Sequence, residues 1–287
     1  MSTQLWTKRV CATQTVDAKK EAVFETIQGP IDDTIDPAEG ARSIASNYET
    51  YVKHEMQQAS DYYKLGSLWC NICEATRHFG SSKAGALADL LIALYSLPPV
   101  LDDSGQPLKN VDGQAYWTGL PESGVTFGEY GIDIDHVEDY NDEEEAEDWL
   151  KQAPSFHNAT AFAATISTRS TPDFGMVFHA YEAFDLALGD AVKPQKTERT
   201  AMYLPAAAMW TRTGGVKLYR FCAGRSGVES AAADVLAQGG HGLSLGRWSH
   251  WRERFEALAL AEIGEIYQEI AASAASRMKE TEIDDPA

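Results

Sequence analysis

Residues 84–99, AGALADLLIALYSLPP, decide the fold. Leu87, Leu90, Leu91, Leu94 and Leu97 recur at three- and four-residue spacing on a segment that is apolar nearly all round. That pattern predicts a central helix covered by its neighbours. Pro98 and Pro99 then end it, because neither can donate the helix hydrogen bond and each pushes the residue before it out of helical geometry. Upstream, Ile44, Tyr48, Tyr51 and Val52 repeat at helical spacing, as do Leu65, Leu68, Trp69, Ile72, Cys73 and Thr76, with Phe79 and a terminating Gly80 behind them. Residues 17–97 therefore form one helical block.

Downstream of the prolines the character changes. Residues 98–142 hold Gly105, Pro107, Gly113, Gly119, Pro121, Gly124, Gly128 and Gly131, interspersed with Tyr116, Trp117, Phe127 and Tyr130. An irregular stretch of this length in a compact chain is usually a functional lid or a linker, and its aromatics favour a packed cover. It turns acidic from Glu129 to Asp148, where Asp142-Glu143-Glu144-Glu145 suits the start of a helix. A second helical block covers residues 143–279. It is expected as helices over residues 143–153, 156–167, 175–188, 198–210, 216–221 and 228–236, then one long helix over residues 247–279. In that last helix Trp248, Trp251, Phe255, Leu258, Ile263, Ile266 and Ile270 trace one face. Strand signals are nearly absent and no repeat of fixed period stands out. The expectation is an all-α protein, a single large helical domain over residues 1–287 with an acidic, aromatic-containing insert between two helical blocks and a disordered tail at 280–287.

Composition narrows the function. With 44% hydrophobic residues, 287 residues can bury a substantial core. Only 24 basic residues stand against 43 acidic ones, a net charge of -19, which argues against a phosphate-binding groove and so against nucleic acid as a partner. Residues 1–10 lack the apolar run of a signal or anchor, and no later segment reaches the ~18 apolar residues of a membrane span. A cytoplasmic location is expected, consistent with Cys11, Cys70, Cys73 and Cys222, whose spacing is not that of a secreted disulfide framework.

Several short motifs have plainer structural readings. Asp32-Asp33-Thr34-Ile35-Asp36 matches the D-D-x-x-D pattern with which metal-dependent terpene cyclases hold magnesium, yet Pro30 and Pro37 bracket it. Asp36-Pro37 reads as a helix cap followed by proline at the first helical position. Cys70-x-x-Cys73 lacks a second ligand pair and reads as two core thiols. His54-Glu55 has no second histidine four positions after the first, Asp133-x-Asp135 departs from a calcium loop at Val137 and Glu138, and residues 239–246 lack the Gly-Lys-Ser/Thr ending of a phosphate loop. No cofactor and no metal is expected.

Trp117-x-x-Leu120-Pro121, Trp149 followed by Ala161-Phe162-Ala163-Ala164, and Trp248-x-x-Trp251 resemble a fungal all-helical family known as domain of unknown function 3632. The resemblance covers most of the chain and rests on structural aromatics. It implies an all-helical fold and an association with biosynthetic genes, and it supplies no catalytic residue to carry over.

The candidate site residues come from polar groups set among apolar helices. His179 and Glu182, three apart, share a helical face, with Asp185 one further turn on. An imidazole beside a carboxylate can act as acid or base. Because Val177, Phe178, Tyr181 and Phe184 claim the apolar face, the balance favours a surface pair. Tyr62 and Arg212 are candidates to polarise a carbonyl, and with His179 and Glu182 they make up the proposed catalytic set. Trp69, Trp117, Trp210 and Tyr203 are the proposed substrate contacts, within a wider group that includes Tyr63, Tyr219 and Arg220. Elimination then leaves a cofactor-independent cyclase or isomerase, and the family resemblance implies a place in fungal secondary metabolism. Its expected reaction is a Diels–Alder-type closure of an apolar terpenoid or polyketide, which needs orientation and one or two hydrogen-bond donors. The alternative is a non-catalytic helical protein that binds a small molecule or a protein, and a homo-oligomer is compatible with either.

Overall fold

The proline pair stops the central helix at Tyr95, and helices account for nearly all regular structure on either side of the insert. The computed structural model describes residues 18–55, 65–79, 81–110, 113–120, 123–132, 143–169, 176–189, 197–225 and 243–285. Among them the fold is all-α, with no strand beyond isolated bridges. The chain divides into two compact units, residues 1–131 and 132–287.

The first unit contains α1 (Ala18–Ile31), α2 (Pro37–Glu55), α3 (Gly66–His78) and α4 (Ser81–Tyr95). Helix α4 packs against α1 and α2 through Leu87, Leu90, Leu91 and Leu94, all buried, while Asp89 keeps one side in solvent. Gly40 permits the close approach: a Cβ there would lie 2.9 Å from Pro30 Cγ and 3.3 Å from Leu90 Cδ1. The acidic motif at 32–36 is the turn between α1 and α2. Asp32 accepts a hydrogen bond from Gln28 Nε2 at 3.0 Å, Asp33 is left-handed at φ 57°, and Asp36 Oδ1 caps α2 by accepting from Ala38 N at 2.9 Å. With the carboxylates of Asp32 and Asp36 used in turn and cap, the segment does not present the adjacent helical turns that a diphosphate-binding motif needs.

The insert carries an order that its composition hides. In residues 100–110 and 113–116 a hairpin-like hydrogen-bonding pattern recurs with a period of eight. Leu108 N donates to Val100 O and Tyr116 N to Leu108 O. Asp102 Oδ1 accepts from Gln106 N, and Asn110 Oδ1 from Gln114 N, each at 2.9 Å. Gly105 and Gly113 supply φ of +80° and +78° at equivalent positions. Hydrogen bonds from the Ser104 hydroxyl and from backbone N–H groups hold the Asp102 carboxyl below its usual range. Beyond the hairpins Tyr116, Trp117, Leu120 and Phe127 are buried, Trp117 with a left-handed φ of 68°. A short helix α5 (Ser123–Thr126) runs into a π-helical turn (Phe127–Ile132), which Arg77 ties to α3 by donating to Tyr130 O at 3.1 Å.

The second unit is built around one helix. It comprises α6 (Glu143–Leu150), α7 (Ala153–Thr168), α8 (Val177–Leu188), α9 (Thr197–Cys222), α10 (Leu245–Leu258) and α11 (Glu265–Asp284). Helix α9 packs against all five others. Where the sequence predicts two helices over 198–210 and 216–221, α9 runs unbroken through Pro205 and Gly214-Gly215. The glycines are contact points: a Cβ at Gly214 would lie 3.0 Å from the Trp210 ring and 3.7 Å from Ala164 O of α7, and one at Gly215 3.7 Å from Thr281 Oγ1 of α11. Conversely, the single helix expected over 247–279 is two. The chain leaves α10 after Leu258, and Gly264, at φ 92°, starts α11, which packs back on α10. Trp248, Trp251 and Phe255 are buried accordingly, whereas Ile266 is 64% exposed.

The last helix does not fray at residue 280. It continues to Asp284, with Glu282 accepting from Trp248 Nε1 at 2.9 Å and from Arg252 Nε at 3.0 Å, and Asp285 held by Arg220 at 2.6 Å and Arg225 at 3.1 Å. The helix expected over 228–236 lies outside the described residues. Replacing Gly40 by Val forces α2 away from Pro30 and Leu90. The expected loss of stability is about 1–3 kcal/mol, seen as a lower urea midpoint, whereas Gly124→Ala, where a Cβ meets nothing within 4 Å, leaves the midpoint close to wild type.

Candidate functional site

Helices α9 and α11 run parallel and are pinned together at their C-terminal ends, where Gly215 meets Thr281 and Arg220 meets Asp285. Further back along the same pair lies an open groove of about 680 Å3. Pro205, Met209 and Arg212 line it from α9, and Ile266, Glu269, Ile270 and Ser273 from α11, together with Arg277 and Glu280. Arg277 and Glu280 pair with each other at 2.8 Å. Arg212 and Glu269, both exposed, make no ion pair among the described residues. The groove thus joins an apolar strip to a donor-only guanidinium on one wall and a carboxylate on the other.

Among the described residues, Arg212 is the one sequence-derived candidate that lines this groove. The other candidates occupy different settings. His179 and Glu182 do meet: Nδ1 lies 3.0 Å from Oε2, with the imidazole 10% and the carboxylate 45% exposed. Asp185 does not join them and instead lies 3.7 Å from Arg247, whose guanidinium also donates to Tyr181 Oη at 3.0 Å and stacks 5.0 Å from the Tyr181 ring. The apolar face of α8 also differs from the expected one, since Phe178 is 39% exposed while His179 is buried. The pair is therefore half inside the unit, with Glu182 at the edge.

Tyr203 is buried edge-to-face against Trp149 (5.7 Å) and Phe156 (5.8 Å), with the Arg199 guanidinium 5.6 Å from its ring. Trp210 is buried beside Gly214, and its indole N–H has no hydrogen-bond partner among the described residues. Tyr219 packs 5.1 Å from Trp248, and Arg220 holds Asp285. In the first unit Trp69 and Trp117 are each only 2% exposed. Tyr62 and Tyr63 lie outside the described residues. Most of the proposed aromatic contacts are therefore committed to core packing in their own unit.

Among the residues lining the groove, Met209, Ile266, Glu269 and Ile270 are not candidates that the sequence singles out. Sequence periodicity puts Ile266 and Ile270 on one face of a continuous terminal helix. Gly264 was the available signal that the face would be interrupted.

The thiols are chemically quiet. Burial pushes both Cys73 and Cys222 up to about 12, and Cys70, half-buried, is raised as well. All three are free. Among the described residues no group of three or more His, Cys, Asp and Glu is placed to hold a metal ion, and no helix is long and apolar enough to cross a membrane.

The fold and groove define an all-helical chain with a solvent-accessible cleft between two parallel helices. Residues 69–255 match the family described as "Protein of unknown function (DUF3632)", and the chain belongs to that family. The match includes α9 and ends before α11, so it takes in one wall of the groove. No curated protein and no solved structure matches the chain.

His157 gives the second unit a pH response. Its Nε2 lies 2.7 Å from Met202 O, and because a carbonyl only accepts, the ring carries its proton on Nε2. Desolvation holds this histidine below its ordinary value, against a smaller opposing effect of the hydrogen bond. Folded, it binds the second proton more weakly than unfolded, so its stabilising contribution is complete above the ordinary value of 6.5 and declines as pH falls below it. The carboxylates of Glu74, Glu256 and Asp285, held down by hydrogen bonds from His78, Lys279 and Arg220, lose their contributions at lower pH, in the carboxylate range. Between about pH 7 and about pH 5 the urea midpoint of the wild type is expected to fall more steeply than that of His157→Gln. Equal slopes would show that His157 is not the responsible group.

Proposed function

We propose that this protein binds a small, largely apolar molecule in the α9/α11 groove, with Arg212 as its polar anchor. The observation that carries the reading is one groove that combines Met209, Ile266 and Ile270 with a guanidinium unpaired among the described residues. Its volume of about 680 Å3 falls in the range of roughly 300–1,000 Å3 typical of small-molecule sites. Ile266, largely exposed in the free protein, is apolar surface that a ligand would remove from water.

If the bound molecule is converted, the reaction that asks least of these residues is cofactor-independent isomerisation or ring closure, including a Diels–Alder-type closure. The walls would orient the reacting ends and Arg212 would polarise a carbonyl. Binding without turnover is the second reading, and the openness of the groove favours it. A solvent-exposed guanidinium polarises a carbonyl less than one in a closed, low-dielectric site. His179 with Glu182 remains the acid–base pair proposed for any proton transfer. A cytoplasmic role in fungal small-molecule metabolism, as a monomer or homo-oligomer, belongs to the same proposal.

Purified protein, without added metal or cofactor, should be incubated with a small-molecule extract of source cells lacking its gene, and both the retained and the free molecules analysed by mass spectrometry. Wild type is expected to retain at least about tenfold more of one apolar molecule than Ser273→Trp, whose indole intrudes into the groove. Appearance of an isomer of unchanged mass identifies turnover. Equal retention by both proteins would remove the groove as the site.

A further inference from the structure

Resting on the groove as ligand seat, we infer that its ligand is an elongated apolar monocarboxylic acid, with the ionised head on Arg212 and the hydrocarbon running along the groove toward Ile266. The register of the two walls carries this assignment. Gly215 lies against Thr281 and Arg220 holds Asp285, so a position on α9 stands level with the one 65 or 66 places later on α11. Arg212 is therefore level with Arg277, whose guanidinium is already paired with Glu280 at 2.8 Å. Arg212 makes no ion pair among the described residues. Met209, Ile270 and Ile266 follow in one direction from it, roughly 5, 11 and 17 Å away along the axis at the rise of an α-helix. A guanidinium without a counter-ion thus stands toward the pinned end, and an apolar strip leads away from it.

The head group follows from what Arg212 can hold. A guanidinium offers two parallel N–H donors that match the two oxygens of one carboxylate, and the charges make those hydrogen bonds roughly twice as strong as neutral ones. With Arg277 committed to Glu280, this end of the groove compensates a single negative charge, which fits a carboxylate better than a doubly charged phosphate. Glu269 does not oppose that head. The same register sets it about nine residues, or about 13 Å, farther back along the groove, beyond the ~8 Å over which exposed charges stay coupled in physiological salt. The net charge of -19 acts on the approach of an anion more than on the bound state. An ammonium meets Arg212 as a like charge, and an alcohol leaves the guanidinium charge unmatched. The unbranched Met209 adapts to the first part of the chain, and Ile270 and the largely exposed Ile266 take the rest.

Decanoate, decylammonium and decan-1-ol share one chain length and differ in the head, so calorimetric titration of the full-length protein with each, below its micellar range at neutral pH and equal ionic strength, tests the class. Decanoate is expected to bind about tenfold more tightly than either, and Arg212→Gln to weaken it by about tenfold. Chain length reads the direction. From octanoate to dodecanoate the affinity is expected to rise at least about tenfold, and Ile266→Ser to weaken dodecanoate by about fivefold but octanoate by less than about twofold. Arg212 and Ile266 are both exposed, so thermal unfolding of these variants should match wild type, confirming that the losses are local. Decylammonium or decan-1-ol binding as tightly as decanoate, and reduced in Ser273→Trp, overturns the carboxylate class while keeping the groove. Decanoate binding unchanged in Arg212→Gln overturns Arg212 as the partner of the head, and equal losses of octanoate and dodecanoate in Ile266→Ser overturn the direction of the chain. Absence of binding by all three heads, or binding unchanged in Ser273→Trp, overturns the groove itself.

Discussion

The second unit depends on the contact of α9 with its neighbours at Gly214-Gly215. A helix interior that contains a proline and two adjacent glycines is disfavoured by intrinsic propensity, since proline loses a backbone hydrogen bond and each glycine costs about 1 kcal/mol relative to alanine. What keeps α9 continuous is tertiary. The missing side chains let the Trp210 ring, α7 and α11 approach the same turn, and Met202, Tyr203, Leu204, Trp210, Leu218 and Tyr219 are buried along its length. Removing that proximity would leave a segment with every local reason to break.

The same contact sets where the groove lies. Glycine brings α9 and α11 together at Gly215 and Thr281, and Asp285 fastens the ends to Arg220 and Arg225. Helix α10 reinforces the arrangement from its own side, through Trp248 and Arg252 to Glu282 and through Lys279 to Glu256. These are mostly exposed or half-exposed pairs, each worth little alone, and they act together as a network around one end of α11. The other end begins at Gly264 and buries nothing before Ala271, so it leaves Ile266 and Ile270 to line the groove.

Legibility varied with how local the cause was. Asp36 as a cap before Pro37, and the arrest of α4 before Pro98-Pro99, followed from backbone chemistry within a few residues and are found in the structure. The hairpin-like pattern in residues 100–110 and 113–116 was also local, but its signature is a recurrence of an Asx residue, glycine and glutamine every eight positions among residues that otherwise read as loop. The groove was the least legible part. Arg212 was singled out among polar residues on aromatic helices, whereas Tyr203, Trp69 and Trp210 satisfied the same description and are core. Sequence periodicity cannot separate a buried aromatic that lines a cavity from one that fills it.

By itself the sequence determined the all-α class, the helices of the first block, the stop at the proline pair and the capped turn at 32–36. In each case the physical reason is short-range: hydrogen-bond geometry, propensity and apolar spacing act over one to three helical turns. The tertiary structure decided that α9 is one helix and the terminal stretch two, that residues 280–285 are docked, and that α9 and α11 leave a groove between them. Those outcomes depend on which helices approach each other and how closely, and that is set by packing between segments tens of residues apart, which no local pattern encodes.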